Sequence, residues 1–122
     1  MAKKDFVFVH VEAPDEAGHN GDLRAKIGAI ENFDKFVVGQ ALEYAKNRKD
    51  VRILVMPDHA TPVSVKTHVS DPVPFVIWGN GIEKDEISVY TEKSSKTSNL
   101  IFEEGFKLMK FFIKEKTIKS GS

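Results

Sequence analysis

A chain of 122 residues with 41% hydrophobic content is long enough for one compact domain with a core and too short for two ordinary ones. Eighteen basic residues balance eighteen acidic ones, so the chain has no overall positive field of the kind that draws proteins to nucleic acid or anionic lipid, and neither partner is expected. The absence of cysteine excludes disulfides, thiolate metal ligands and cysteine nucleophiles; with no signal-peptide layout and no bilayer-length apolar run, a soluble cytoplasmic protein is the expectation.

In chain order, residues 1–4 read as a short extension, 5–116 as the body of one domain and 117–122 as a tail. Residues 5–11 (Asp-Phe-Val-Phe-Val-His-Val) are almost continuously apolar and β-branched or aromatic, the pattern of a strand covered on both faces, hence central and parallel. Pro14 stops it, and residues 15–22 predict a polar, glycine-bearing loop. Asp22 stands where it would cap a helix running to about residue 47, in which Leu23, Ile27, Ile30, Val37, Ala41 and Ala45 recur at three- and four-residue steps. Residues 52–56 (Arg-Ile-Leu-Val-Met) predict a second buried strand, completing a βαβ unit with a right-handed crossover, and Pro57, Asp58 and His59 close it.

Residues 60–71 carry no helical period. A third apolar strand follows at 73–78, where Pro74 implies a strand start or an edge and the short connection favours an antiparallel return. A further edge strand is expected at 86–91 and a polar loop at 92–99. The last element is a helix over about 100–116, with Phe102, Phe106, Met109 and Ile113 on one stripe and Ile101, Leu108 and Phe112 beside it, read as core packing against the sheet. The fold class that follows is α/β, a mixed and mostly parallel sheet flanked by helices.

Three of the four histidines fall in the polar connections. Asp15 and His19 form Asp-x-x-x-His after the first predicted strand, Asp58 and His59 are adjacent after the second, and His68 lies nine residues on. In a parallel βαβ pair both strands end on the sheet edge where open α/β folds bind ligands, so these five side chains are expected to converge. Carboxylate oxygen and imidazole nitrogen suit Mn²⁺, Zn²⁺ or Co²⁺, and Mg²⁺ less comfortably. Five ligands are too many for one catalytic ion that keeps an open position, which favours two ions, as in phosphatases and nucleases. Taken singly, each piece has a plainer alternative as a helix cap or a loop hydrogen bond; what joins them is the shared edge. His10, inside the first strand, reads as a hydrogen-bonded histidine in the core or behind the ligands, and Glu12 as a residue that steers a ligand or caps a backbone group.

The segments Phe-Val-Phe-Val-His-Val-Glu-Ala-Pro-Asp-Glu-Ala-Gly-His-Asn-Gly-Asp (6–22), Met-Pro-Asp-His-Ala-Thr-Pro (56–62) and Thr-His-Val-Ser-Asp-Pro-Val-Pro-Phe (67–75) closely resemble the C-terminal motifs of the archaeal-type cofactor-independent (2,3-bisphosphoglycerate-independent) phosphoglycerate mutases of the alkaline phosphatase superfamily. Three motifs in the right order make the resemblance specific, and it covers residues 5–116, though only the C-terminal part of the family's polypeptide. It implies a partial alkaline-phosphatase-like domain from an isomerase of glycolysis and gluconeogenesis. That family interconverts 3-phosphoglycerate and 2-phosphoglycerate through a phosphoserine, with two divalent ions drawn from Mn²⁺, Zn²⁺, Mg²⁺ and Co²⁺. Carried over by motif, Asp15, His19 and His68 ligate one ion and Asp58 and His59 the other. The family's remaining ligands, an aspartate and the nucleophilic serine, fall upstream of this sequence, and its phosphoglycerate-gripping basic residues fall largely in an inserted domain. Ser64, Ser70, Ser94, Ser95 and Ser98 read as loop hydroxyls.

The chain alone is therefore expected to be inactive, to bind one ion well, and to associate with itself or with the missing N-terminal portion through uncovered apolar faces. Two other readings compete. One is a metal-dependent phosphatase, phosphopentomutase or phosphonate-processing enzyme of the same superfamily; the other is a non-catalytic α/β binding module whose histidines only pack and cap.

Overall fold

The computed structural model describes residues 5–118; the expected extension at 1–4 and the end of the tail, 119–122, lie outside the described residues. Residues 5–12 have no regular structure and lead into α1 (Ala13–His19). The polar stretch at 15–22, expected as a loop, is thus mostly helix. Pro14 does not break it, because it occupies the first turn, where its missing N–H had no intrahelical partner to lose. The helix ends in a Schellman turn: Gly21, at φ 66°, donates to Gly18 O and Asp22 to Ala17 O, both at 3.0 Å. Glycine is required there, since L side chains disfavour that backbone conformation.

Asp22 then caps α2 (Leu23–Phe33) as expected, its Oδ1 accepting from Ala25 N at 3.0 Å. The helix continues through a π turn (Asp34–Val38) into α3 (Gly39–Ala45), so the predicted long helix is present as one rod with a widened turn in its middle. β1 (Arg52–Val55) and β2 (Val76–Gly79) pair antiparallel, with Arg52 opposite Gly79 and Val55 opposite Val76. Pro74 precedes β2 and takes nothing from the ladder.

The mostly parallel sheet is not formed: the described residues hold a two-stranded antiparallel sheet. The segment 5–11 is extended but pairs with no strand, because a central strand needs hydrogen-bonding neighbours on both sides and none of the described strands lies beside it. Without that first strand, no βαβ crossover is formed. The expected edge strand at 86–91 is a turn, held by Ile87 N donating to Asp85 Oδ1 at 2.9 Å. The expected loop after it contains α4 (Glu92–Ser95), nucleated by a reciprocal cap between Thr91 and Ser94.

The final helix is shorter than expected. α5 spans Lys107–Lys114, since Gly105, a poor helix former, follows an irregular stretch and only a turn joins Glu104 to Lys107. Its buried side is Leu108, with half-buried Phe111 and Phe112, whereas Phe106, Met109 and Ile113 of the predicted stripe are exposed. Phe111 meets Phe102 edge-on at 5.0 Å, and Phe102 meets Phe75 at 5.8 Å, which fastens the helix to the chain entering β2. Arg52 of β1 completes the attachment, donating to Asn80 O (2.6 Å) and to Phe112 O and Lys116 O (2.9 Å each) around the C-terminal end of α5.

Buried apolar residues are few among the described residues: Ala17, Ala45, Leu108 and Ile118. Large apolar side chains stand in solvent along 6–9 and on the face of α2 carrying Leu23, Ile27 and Ile30. No helix of the described residues is long and apolar enough to cross a membrane.

Candidate metal centre

α1 presents its first chemical element through helical spacing. Asp15 and His19, four residues apart, lie on one face, with Asp15 Oδ1 and His19 Nε2 3.3 Å apart. The loop leaving β1 supplies the rest. It turns back on itself through hydrogen bonds from Val65 N and Lys66 N to Pro62 O, and an isolated bridge between Ala60 and Val69 pins its base. His68 is thereby set 3.2 Å from Asp15 Oδ1 and 3.1 Å from His19 Nε2. The His59 ring lies against that of His68, with centroids 3.6 Å apart.

Asp15, His19 and His68 therefore offer one oxygen and two nitrogens within 3.3 Å of one another. Two donors each about 2.1 Å from one cation are about 3.0–3.5 Å apart at octahedral or tetrahedral angles, so the chemistry and spacing of this set fit a divalent ion. His59 extends the set, because ligand atoms of Asp15, His59 and His68 all lie within 4.8 Å of one another. Asp58 stands at the rim, 63% exposed at its side chain, 3.4 Å from His59 Nε2 and 3.7 Å from His10 Nε2. All five residues singled out in the sequence are thus brought to one place, although the parallel-strand edge invoked to gather them is not what gathers them.

Of the two expectations for His10, the core position is not met and the place behind a candidate ligand is the one it takes. It is exposed rather than buried in a core strand, and it faces Asp58. Glu12 is exposed and precedes α1; its carbonyl accepts from Glu16 N at 3.0 Å, and its side chain makes no cap.

Two residues outside the predicted ligand set shape the cluster: Thr61, within the 56–62 motif but given no role there, and Lys66, outside the motifs. Lys66, in a left-handed conformation at φ 63°, turns its carbonyl toward His19 Nδ1 at 3.1 Å. A carbonyl only accepts, so Nδ1 carries the proton and the Nε2 lone pair is left facing Asp15 and His68. Thr61, 3% exposed, donates its hydroxyl to Asp15 Oδ1 at 2.7 Å and lies 3.1 Å from His59 Nδ1. The Thr61 hydroxyl is the main influence holding the Asp15 carboxyl below its ordinary range; burial opposes it, and His19, His68 and His59 add to it. A positive φ on a lysine and a buried threonine are visible only in three dimensions.

The Metalloenzyme superfamily family model matches residues 1–115. A 2,3-bisphosphoglycerate-independent phosphoglycerate mutase of Methanothermobacter thermautotrophicus is 47% identical over 113 residues, 93% of this chain and 28% of that protein. The mutase of Methanosarcina mazei is 48% identical over 102 residues, covering 82% and 26%. A solved protein structure from Pyrococcus horikoshii superposes with a TM-score of 0.70 at 35% identity, over 75% of this chain and 27% of the other. The chain spans little more than a quarter of the length of these relatives.

Proposed function

The chain belongs to the Metalloenzyme superfamily, and from that premise we propose that it is the C-terminal part of the metal-binding domain of a cofactor-independent phosphoglycerate mutase. The reaction would be interconversion of 3-phosphoglycerate and 2-phosphoglycerate through a phosphoserine. The observation that carries the reading is the Asp15, His19 and His68 triangle, with sides of 3.1 to 3.3 Å. These three residues would hold one divalent ion, Mn²⁺ or Zn²⁺ before Mg²⁺ or Co²⁺, and Asp58 and His59 would contribute to a second. Bound there, a pair of cations supplies Lewis acidity and a clamp for the transferring phosphoryl group.

The chain's own residues prepare that site. Asp15 brings the negative charge, kept ionised by the Thr61 hydroxyl. His19 brings a lone pair whose direction is fixed by Lys66. His10 faces the outer oxygen of Asp58 and would orient it. The nucleophilic serine and the phosphate-gripping cations would come from outside these 122 residues, so turnover requires the rest of the parent protein. The exposed apolar side chains at 6–9 and on α2 support contact with that missing portion or with a second copy.

Measured Mn²⁺ uptake tests the reading. The wild-type chain is expected to bind at least one ion, and His19→Ala or His68→Ala to weaken binding by roughly a hundredfold or more, as loss of one of three ligands should. Uptake that is nil in the wild type, or unchanged in both variants, would favour the binding module in which these histidines only pack.

A further inference from the structure

We propose that Thr61 is a positioning residue, whose hydroxyl holds the Asp15 carboxylate and fixes the tautomer of His59, coupling donors from α1 to donors from the loop after β1. The inference rests on the cation reading above and goes beyond it by assigning a role to a residue outside the ligand set.

Thr61 is the buried polar residue of the described chain, 3% exposed. A hydroxyl has one hydrogen to give and lone pairs to receive. Its hydrogen goes to Asp15 Oδ1 at 2.7 Å. The 3.1 Å contact with His59 Nδ1 must then run the other way, with Nδ1–H donating to Thr61 Oγ1. That leaves Nε2 of His59, 3.4 Å from Asp58 Oδ1, without a proton, the form a metal-binding imidazole requires.

The rest of the residue is held as firmly as its hydroxyl. The carbonyl of Thr61 accepts from Lys26 Nζ at 2.5 Å, tying it to α2. Its carbonyl and methyl group lie so close to Gly18 that any Cβ there would collide with them. The hydroxyl therefore has little freedom to swing away, and it acts on two ligands at once. Lys66 does for His19 what Thr61 does for His59, in each case by leaving the proton on Nδ1.

The test compares Thr61→Val, which keeps the shape and removes the hydroxyl, with Thr61→Ser, which keeps the hydroxyl and removes the methyl group. In the metal-free 122-residue chain, ¹⁵N chemical shifts of the His59 ring should report protonated Nδ1 and bare Nε2 in the wild type and in Thr61→Ser. Thr61→Val should lose that preference. Calorimetric titration with Mn²⁺ should find Thr61→Val weakened by about 10- to 100-fold, the usual effect of removing a residue that supports a ligand, and Thr61→Ser close to wild type.

A Thr61→Val chain with unchanged tautomer and affinity would overturn the proposal. So would a Thr61→Ser chain as impaired as Thr61→Val, which would assign the effect to methyl packing against Gly18. If the wild type takes up no Mn²⁺, the cation reading fails, and the ring ¹⁵N shifts alone decide the role of Thr61.

Discussion

The histidine cluster and the apolar remainder of the chain are built in opposite ways. In the cluster, Asp15, His19, His59, Thr61 and His68 lie within one small volume, supported by hydrogen bonds to Lys66 in the same loop and from Lys26 on the next helix, α2. Elsewhere, Phe8, Ile101 and Phe106 are at least 70% exposed, so the side chains that should drive folding have little to pack against. A polar site of this kind needs only a helix turn, a folded-back loop and a buried threonine. A sheet core needs strands on both sides, and relatives more than three times as long have the chain to supply them.

Arg52 offers the sharpest way to break this contrast, because it sits in the sparse region and carries two hydrogen bonds to the end of α5 and one to Asn80 after β2. Arg52→Met should cost about 2–3 kcal/mol, since bonds to a charged group are worth more than neutral ones and the end of α5 would lose its cap. Urea denaturation would measure the loss, and hydrogen exchange should localise it to 107–118. Mn²⁺ affinity should stay where it was. A parallel fall in affinity would mean that the cluster leans on the C-terminal packing after all.

The two glycines Gly18 and Gly28 sharpen the contrast from the other side. Gly18→Ala would drive a methyl group into the Thr61 carbonyl, and overpacking of that kind costs about 1–3 kcal/mol; because the wall it strikes belongs to the cluster, cation uptake should fall with stability. Gly28, inside α2, has open space where its Cβ would go, so Gly28→Ala should stabilise the chain by about 0.5–1 kcal/mol through helix propensity. Thermal unfolding of the two variants would separate them by sign. A destabilising Gly28→Ala would indicate that this face of α2 is already covered, by a second copy, in solution.

The same division governs how much of the molecule is legible in its residues. The site was legible because its signal is chemical: Asp15, His19, Asp58, His59 and His68 are unusual side chains in short spacings, and spacing survives an error in the secondary structure around it. Asp-x-x-x-His reads as a loop and is a helix, yet four residues bring the pair together in α1 directly. The long helix is legible from its Asp22 cap and its period, and the antiparallel β1–β2 pairing from the short connection between the two segments. The first strand is not, because a continuous apolar run records that a segment wants cover without recording what covers it, and residues 6–9 are left exposed. The stripe on α5 failed for a related reason: period marks a face, and only packing chooses between Leu108 and Phe106. The roles of Thr61, inside the 56–62 motif, and Lys66, outside the motifs, are not legible from residue type, since they come from burial and from a backbone angle.

Tyr90 provides the smallest test, in the region where packing is thin. Its hydroxyl donates to Pro74 O at 2.8 Å and lies 3.4 Å from Val55 O, stitching the turn at 85–91 to the strands. Burial of that hydroxyl, assisted by the charge of Glu92, pushes its pKa up to about 12. An unfolded tyrosine ionises near 10, so between those values the folded state holds a proton that the unfolded state has released. Stability contributed by Tyr90 is thus complete below the unfolded value and declines as pH rises through the folded one. With the residue 44% exposed overall, solvent screening keeps the effect well below what the shift alone would suggest. Tyr90→Phe should cost about 1 kcal/mol at neutral pH and should flatten the alkaline decline relative to wild type. Urea midpoints for both chains, taken on either side of the tyrosine range, isolate the contribution from that of the lysines and Tyr44. Equal slopes in the two chains would mean that the hydroxyl is open to water and that the turn is held by Thr91 and Ser94 alone.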